Sequence, residues 1–318
     1  KGGNGTDAPQ VGVLIAGNVT GLAGSIAIEG TGGISPVNGN VGIHINAPIN
    51  SKGLITLIGT GNGLGASADN AGVLVSNTIT NIPNTIKGII ITGIGANTTG
   101  TGNHGISSNS DFTNTNGAIT LTGTAGNTAS DDLFINSGTF SSSTNPNSSI
   151  SLVGNKVTIG SAATIGTNLA SFVNLLPRTD NTPINLGTET VGSLSYTSDE
   201  MNRIFANEIF IGNATSGPMT ISATIAPANI SATCRITLQT QIDLIMSGGG
   251  IATLGGNVRL RSPQIYPNFS GADISMGTGI LTFDPPGRRV NIVIDGPIAN
   301  TNYTQLNVIG VINIFATN

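Results

Sequence analysis

Tryptophan is absent from this 318-residue chain, cysteine occurs once, aromatic residues make up 4% and charged residues 8%. Each shortage excludes something. A single cysteine rules out an intramolecular disulfide framework, so stability must come from packing and backbone pairing. Cys234 lies in the alternating apolar stretch SATCRITLQ and reads as a buried small hydrophobe on a strand. No run of about 18 apolar residues occurs, so no membrane-spanning helix is expected. Net charge is −4, and no basic stripe interleaved with aromatics exists, which argues against nucleic acid as a partner. Phosphate-cradling loops, triad spacings and dinucleotide fingerprints are missing too. The chain therefore reads as non-enzymatic, with no cofactor and no catalytic or metal residues.

What it has in abundance is glycine, 46 residues without strict triplet spacing, together with regularly placed Ile and Val. Two ladders repeat about every 30 residues. One follows a leading glycine: Gly12 in QVGVLIAG, Gly42 in NVGIHINA, Gly72 in NAGVLVSN and Gly105 in NHGISSNS. The other ends on a glycine: GSIAIEG, GLITLIG, KGIIITG, GAITLTG and SSISLVG. Val13, Ile43, Val73 and Ile106 align, as do Ile26, Ile55, Ile89, Ile119 and Ile150. Side chains two apart on a strand share a face, so each run sends a β-branched stripe inward and leaves Ala27, Thr56, Thr120 and Ser151 outward. Short strands at a fixed period are the mark of a solenoid. The expected fold is all-β: a right-handed parallel β-helix of about 30 residues per coil, each coil three-sided.

Composition changes near residue 178. Residues 1–177 contain no Arg, Met or Tyr and carry the clean repeat; residues 178–318 hold all seven Arg, four Met and three Tyr on longer, less regular strands. Two regions, 1–177 and 178–318, are read as one continuous solenoid. The chain starts at Lys1, which suggests a mature or excised piece of a longer precursor.

Candidates for chemistry are few. His44 aligns with Leu14 and Leu74 on the outward face, and His104 sits at a turn with no second ligand nearby. GGNGTD at 2–7 matches part of a calcium-binding nonapeptide, but one copy followed by Pro9 does not build the stacked site that motif needs. Asp131–Asp132 and Asp199–Glu200 are sequence neighbours and read as solvated turns. Arg259 and Arg261 alternate with Val258 and Leu260, so both leave one outward face. With Arg178, Arg203, Arg235, Arg288 and Arg289 they suit a carbohydrate or acidic-polymer surface, or equally a charged guard against edge aggregation.

The second region contains VGSLSYTSDEMNRIFANEIFIGNATSGPMTISATI. Asp199, Glu200, Met201, Asn202, Arg203, Ile204, Ile211, Gly212, Asn213 and Gly217 resemble a unit of large bacterial surface proteins of the filamentous-haemagglutinin type. Tyr303, Gln305, Leu306, Val308 and Gly310 in NYTQLNVIG resemble the closing coils of such proteins and of autotransporter passengers. The Gly/Asn units resemble their repeats, so the likeness covers most of the chain. It implies a secreted or cell-surface bacterial β-helix used in adhesion or surface structure. Neither end carries a polar cap in the sequence, so head-to-tail self-assembly into an extracellular filament is expected. Val11, Val13 and Ile15 at one end and Val308, Val311, Ile314 and Phe315 at the other form the candidate interface, with self and host or surface glycans as partners. The competing reading is a carbohydrate-binding or polysaccharide-degrading β-helix.

Overall fold

The computed structural model describes all residues except 84, 143–147, 228, 230–233, 267–273, 276–279, 285–288, 296–304, 309–310 and 318. For 167–171, 275, 289–295, 305–308 and 311–317 it describes the backbone alone. Arg288, Tyr303 and Gly310 lie outside the described residues. Among the described residues the chain is all-β apart from one helical turn, Ser198–Met201, and every strand pairing is parallel. It divides into two compact units, Lys1–Ser171 and Phe172–Asn318.

In the first unit the strands form three columns. The first runs through Val13–Ile15, Ile43–Ile45, Val73–Val75, Ile106–Asn109 and Leu133–Ser142, then the start of Val157–Leu176. The second holds Val19–Gly21, Ile49–Ser51, Ile79–Asn81 and Phe112–Asn114, and is completed by the far half of Leu133–Ser142. The third holds Ile26–Thr31, Ile55–Thr60, Ile89–Ile94, Ile119–Thr124 and Ser149–Val153. Each strand pairs with its counterpart one repeat along, in the register the sequence ladders predict: Val13↔Ile43, Ile43↔Val73, Val73↔Ile106.

Inward positions are dry. Ile43, Ile45, Ile49, Ile55, Leu57, Ile89, Ile91, Ile119 and Leu121 are fully buried, while outward Thr56, Thr92 and Thr120 are half-exposed. Phe112 and Phe140 stack at 4.5 Å inside the second column. The leading glycines have a steric cause. At each, the first-column strand passes against the end of a third-column strand, and a Cβ on Gly42 would lie 2.3 Å from Thr60 N; on Gly72 it would lie 2.2 Å from Ile94 N. No L side chain fits such a corner.

The second unit has its own columns. One pairs Ile204–Gly212, Arg235–Gln239, Asn257–Arg261, Ile280–Phe283 and Gln305–Val308 in order. Another runs from Leu194–Thr197 through Ile184–Gly187, Met219–Ile221, Asp243–Met246, Gln264–Tyr266 and Arg289–Asp295 to Val311–Thr317. A short third pairs Ile251–Ala252 with Ile274–Ser275. Cys234 is buried. The SDEMNRI stretch becomes the helical turn, closed by a capping box: Glu200 N donates to Thr197 Oγ1 at 3.3 Å, and Thr197 N to Glu200 Oε2 at 2.9 Å.

Candidate functional site

The residues proposed for assembly sit at strand edges. In the first coil Val13–Ile15, Val19–Gly21 and Ile26–Thr31 each have a parallel partner on one side only among the described residues. Their inward side chains Val13, Ile15, Val19, Ile26 and Ile28 are half-buried, whereas the next coil's Ile43, Ile45, Ile49, Ile55 and Leu57 are inaccessible. Val11 is half-buried as well. Among the described backbone bonds, the segment before Val11 meets this edge at Thr31, the last residue of Ile26–Thr31. Gly2 N donates to Thr31 O and Gly5 N to Ile34 O, the same offset that links Gly12 N to Val41 O, so residues 1–10 form an ordinary corner of the stack. At the other end Val308 pairs with Phe283, and Val311, Ile314 and Phe315 pair with Arg289, Ile292 and Val293 through the backbone.

A column of buried asparagines runs up one corner, and the sequence reading did not single it out. Asn40, Asn70 and Asn103, each two residues before a leading glycine, are inaccessible to water. Asn40 Nδ2 donates to Asn70 Oδ1 at 3.1 Å and Asn70 Nδ2 to Asn103 Oδ1 at 3.0 Å. The same oxygens also accept backbone N–H groups: Asn40 N to Asn70 Oδ1 and Asn70 N to Asn103 Oδ1. Gln10 N donates to Asn40 Oδ1 below the column, and Asn103 N donates to Ser130 Oγ above it. Each amide thus satisfies corner donors that no strand can reach. The signal was present as the recurrence of NVG, NAG and NHG. A second pair, Asn81 and Asn114, clamps another corner by donating to Gly53 and Gly88 carbonyls and to Lys87 and Ala118 carbonyls.

Above the column the corner becomes charged. His104 stacks on Phe134 at 4.7 Å, and its Nδ1 accepts from Asp131 N at 3.0 Å. Asp131 pairs with Lys156 Nζ at 3.0 Å. Asp132 takes the place of a leading glycine and accepts Ala125 N at 2.5 Å and Asn155 N at 2.6 Å. Asp131 and Asp132 are therefore buried, partnered corner residues, not the solvated turn expected: Ser130 continues the amide column, and the two carboxylates stand in the places of His104 and the leading Gly105. Asp199 is exposed as expected, whereas Glu200 is buried in its capping box. His44 lies on the outward face, 3.1 Å from Ser76 Oγ. Burial lowers the pKa of His44; burial also lowers that of His104, against an opposing pull from Asp131. No group of three or more His, Cys, Asp or Glu that could hold a metal ion occurs among the described residues.

No family model matches the chain, no curated protein is similar to it, and no solved structure matches it. The site must be read from its own geometry, and that geometry is one of edges and ladders. Among the described residues no helix is long and apolar enough to cross a membrane.

The lowered histidines make a testable statement about stability. An imidazole whose folded-state pKa lies below its unfolded value binds its proton more readily when unfolded. Its stabilising contribution is complete above the unfolded value, about 6.5, and falls away as pH drops through that value toward the folded one. Thermal melts of the wild type should therefore lose stability below pH 6.5, and a His44→Gln/His104→Gln variant should lose less over the same window. Equal pH dependence in both proteins would contradict the assignment.

Proposed function

We propose that the chain is a non-catalytic structural segment of the bacterial cell exterior, folded as a right-handed parallel β-helix. It serves either as the subunit of an end-to-end filament or as a stacked segment of a surface adhesin, as its resemblance to filamentous-haemagglutinin-type proteins and autotransporter passengers suggests. Parallel crossovers within one sheet are right-handed with few exceptions, and the three strand columns of the first unit support a helical winding. The carrying observation is the first coil. Its five inward side chains are half-buried where the equivalent positions one coil on are inaccessible. Such an edge is completed by another coil, which supplies backbone partners and buries each Val or Ile, worth about 1.5–3 kcal/mol per fully buried side chain.

Electron microscopy of the purified chain at rising concentration tests the filament form. Fibres are expected, and Val311→Pro, which removes a ladder donor from the last strand, should abolish them while the circular-dichroism signal of the remaining coils persists. Fibres that survive Val311→Pro place the contact elsewhere. A wild type that stays monomeric leaves the adhesin-segment form. Release of reducing ends from a polysaccharide incubated with the chain would contradict the non-catalytic reading altogether.

A further inference from the structure

The second unit carries an arginine-bearing face that the structural role does not use. Inward Ile209, Ile211, Ile236, Leu238, Val258 and Leu260 fill the core of this column. Alternation then sets Arg235, Arg259 and Arg261 outward on two neighbouring strands. Register places Arg235 opposite Glu208 and Arg259 opposite both Thr237 and Thr282. Strand geometry separates Arg259 from Arg261 by about 7 Å along the strand and adjacent strands by about 4.8 Å.

Two carboxylates organise these three guanidinium groups without saturating them. Glu208 accepts Arg235 Nη2 at 2.5 Å and Thr237 Oγ1 at 2.5 Å, which occupies both its oxygens. Asp284 Oδ2 accepts Arg259 Nη2 and lies 3.1 Å from Arg261 Nε. Arg261 Nη1 donates to Gln239 Oε1 at 2.9 Å. A guanidinium has five N–H donors; among the described residues Arg259 meets one acceptor, and since its Nε is buried, its outer Nη groups are what it offers a ligand. The arginine side chains remain 43%, 29% and 31% exposed at 235, 259 and 261. Burial raises the pKa of Glu208, but hydrogen bonds from Arg235 and Thr237 and the charges of Arg235 and Arg259 outweigh it and hold the carboxyl below its ordinary value. Among the described residues the face thus keeps three positive charges against two negative ones at neutral pH.

We propose that this face binds a carboxylate-bearing polysaccharide, with Arg259 and Arg261 anchoring one carboxylate of the chain. A planar fork matches a carboxylate bidentately, and Thr282 and Asn257 lie alongside as neutral neighbours of the kind that meet sugar hydroxyls. The net charge of one selects against a dense polyanion. Duplex DNA carries a negative charge every ~1.7 Å of axis and would be driven onto Glu208 and Asp284, whereas a uronate polymer offers one carboxylate per sugar. Generic attraction is not the cause, because the chain as a whole carries −4.

Calorimetric titration with oligogalacturonate at low ionic strength tests the proposal, with the fully methyl-esterified oligomer as the neutral control. Wild type should bind the acid and not the ester. Arg259→Gln should weaken binding about tenfold or more, as expected for a lost charge-assisted bidentate pair, and Glu208→Gln, which raises the face to two net positive charges, should tighten it. Arg178→Gln, outside this face, should leave it unchanged. If Arg259→Gln does not fold, Arg261→Gln at the end of the strand gives the same test. No binding by wild type, equal binding of acid and ester, or wild-type affinity in a folded Arg259→Gln overturns the proposal. The readout does not depend on whether the chain assembles, so it is separable from the filament question.

Discussion

Ile91→Asp should unfold the middle of the first unit. Ile91 is inaccessible, pairs with Leu57 on one side and Leu121 on the other, and has only apolar neighbours in its inward row. A carboxylate there has no partner, and its desolvation costs several kcal/mol, a large share of the ~5–15 kcal/mol that a folded domain commonly has. Because stacked repeats couple mainly to their neighbours, the loss should be local. Amide exchange should show protection collapsing in Ile55–Thr60, Ile89–Ile94 and Ile119–Thr124 while Arg235–Gln239 keeps its own. Thr120→Asp, on the outward face of the same column, should change stability by no more than about 0.5 kcal/mol. Equal effects at the two positions would mean that the alternation has been assigned to the wrong faces.

Asn70→Ala is expected to be nearly as damaging, though the residue is polar and sits in a corner. The substitution removes the acceptor of Asn40 N and of Asn40 Nδ2 and the donor to Ser67 Oγ and Asn103 Oδ1. Asn40 N is then a buried donor with no acceptor, and the missing amide leaves a gap that neighbouring backbone fills poorly. An orphaned buried group costs about 1–3 kcal/mol, so a loss of about 3 kcal/mol is expected once the cavity is included. Asn77→Ala, which removes an exposed 3.4 Å contact to Asn46 O and a local acceptor for Thr78 N at 2.9 Å but leaves no fully buried donor orphaned, is the control and should cost less than about 1 kcal/mol. Chemical denaturation followed by circular dichroism compares the two directly. Similar midpoints for both variants would show that the column is ornamental to stability.

These two variants also mark where the sequence was readable and where it was not. The ladders were legible because a two-residue period and a repeat of about 30 residues fix both face and register: Val13, Ile43 and Val73 follow each other at steps of 30. The asparagine column was not legible from propensity, since Asn in a corner reads as a turn former. Only its recurrence two residues before Gly42, Gly72 and Gly105 set it apart. Asp131 and Asp132 were misread for a related reason. Nothing local says that a corner folds inward, and it is the replacement of a leading glycine by Asp132 that brings a carboxylate onto the N–H groups of Ala125 and Asn155. In the second unit the pairing steps vary, Ile236 to Val258 being 22 residues and Leu281 to Leu306 being 25, so no fixed period reveals the register there. Corner length is set by loops whose sequences carry little pattern. The arginine face was half visible: the alternation of Arg259 with Leu260 showed that the arginines share a face, but their pairing with Asp284 and the place of Glu208 opposite Arg235 required the fold.

Cysteine cross-linking across the third column tests the stacked register most directly. Thr56 and Ile90 are outward register partners on adjacent parallel strands, whereas Thr56 and Ile94 are displaced by four residues along the strand. Adjacent strands stand about 4.8 Å apart, within the Cα separation of ~4.4–6.8 Å that a disulfide accepts, while the displaced pair is separated by about 14 Å. Native Cys234 is buried and should not compete. Under mild oxidation the Thr56→Cys/Ile90→Cys protein should form its cross-link rapidly and fully, and the Thr56→Cys/Ile94→Cys protein should remain reduced. Efficient cross-linking of the displaced pair, or none in the register pair, would contradict the one-repeat stacking on which the whole account rests.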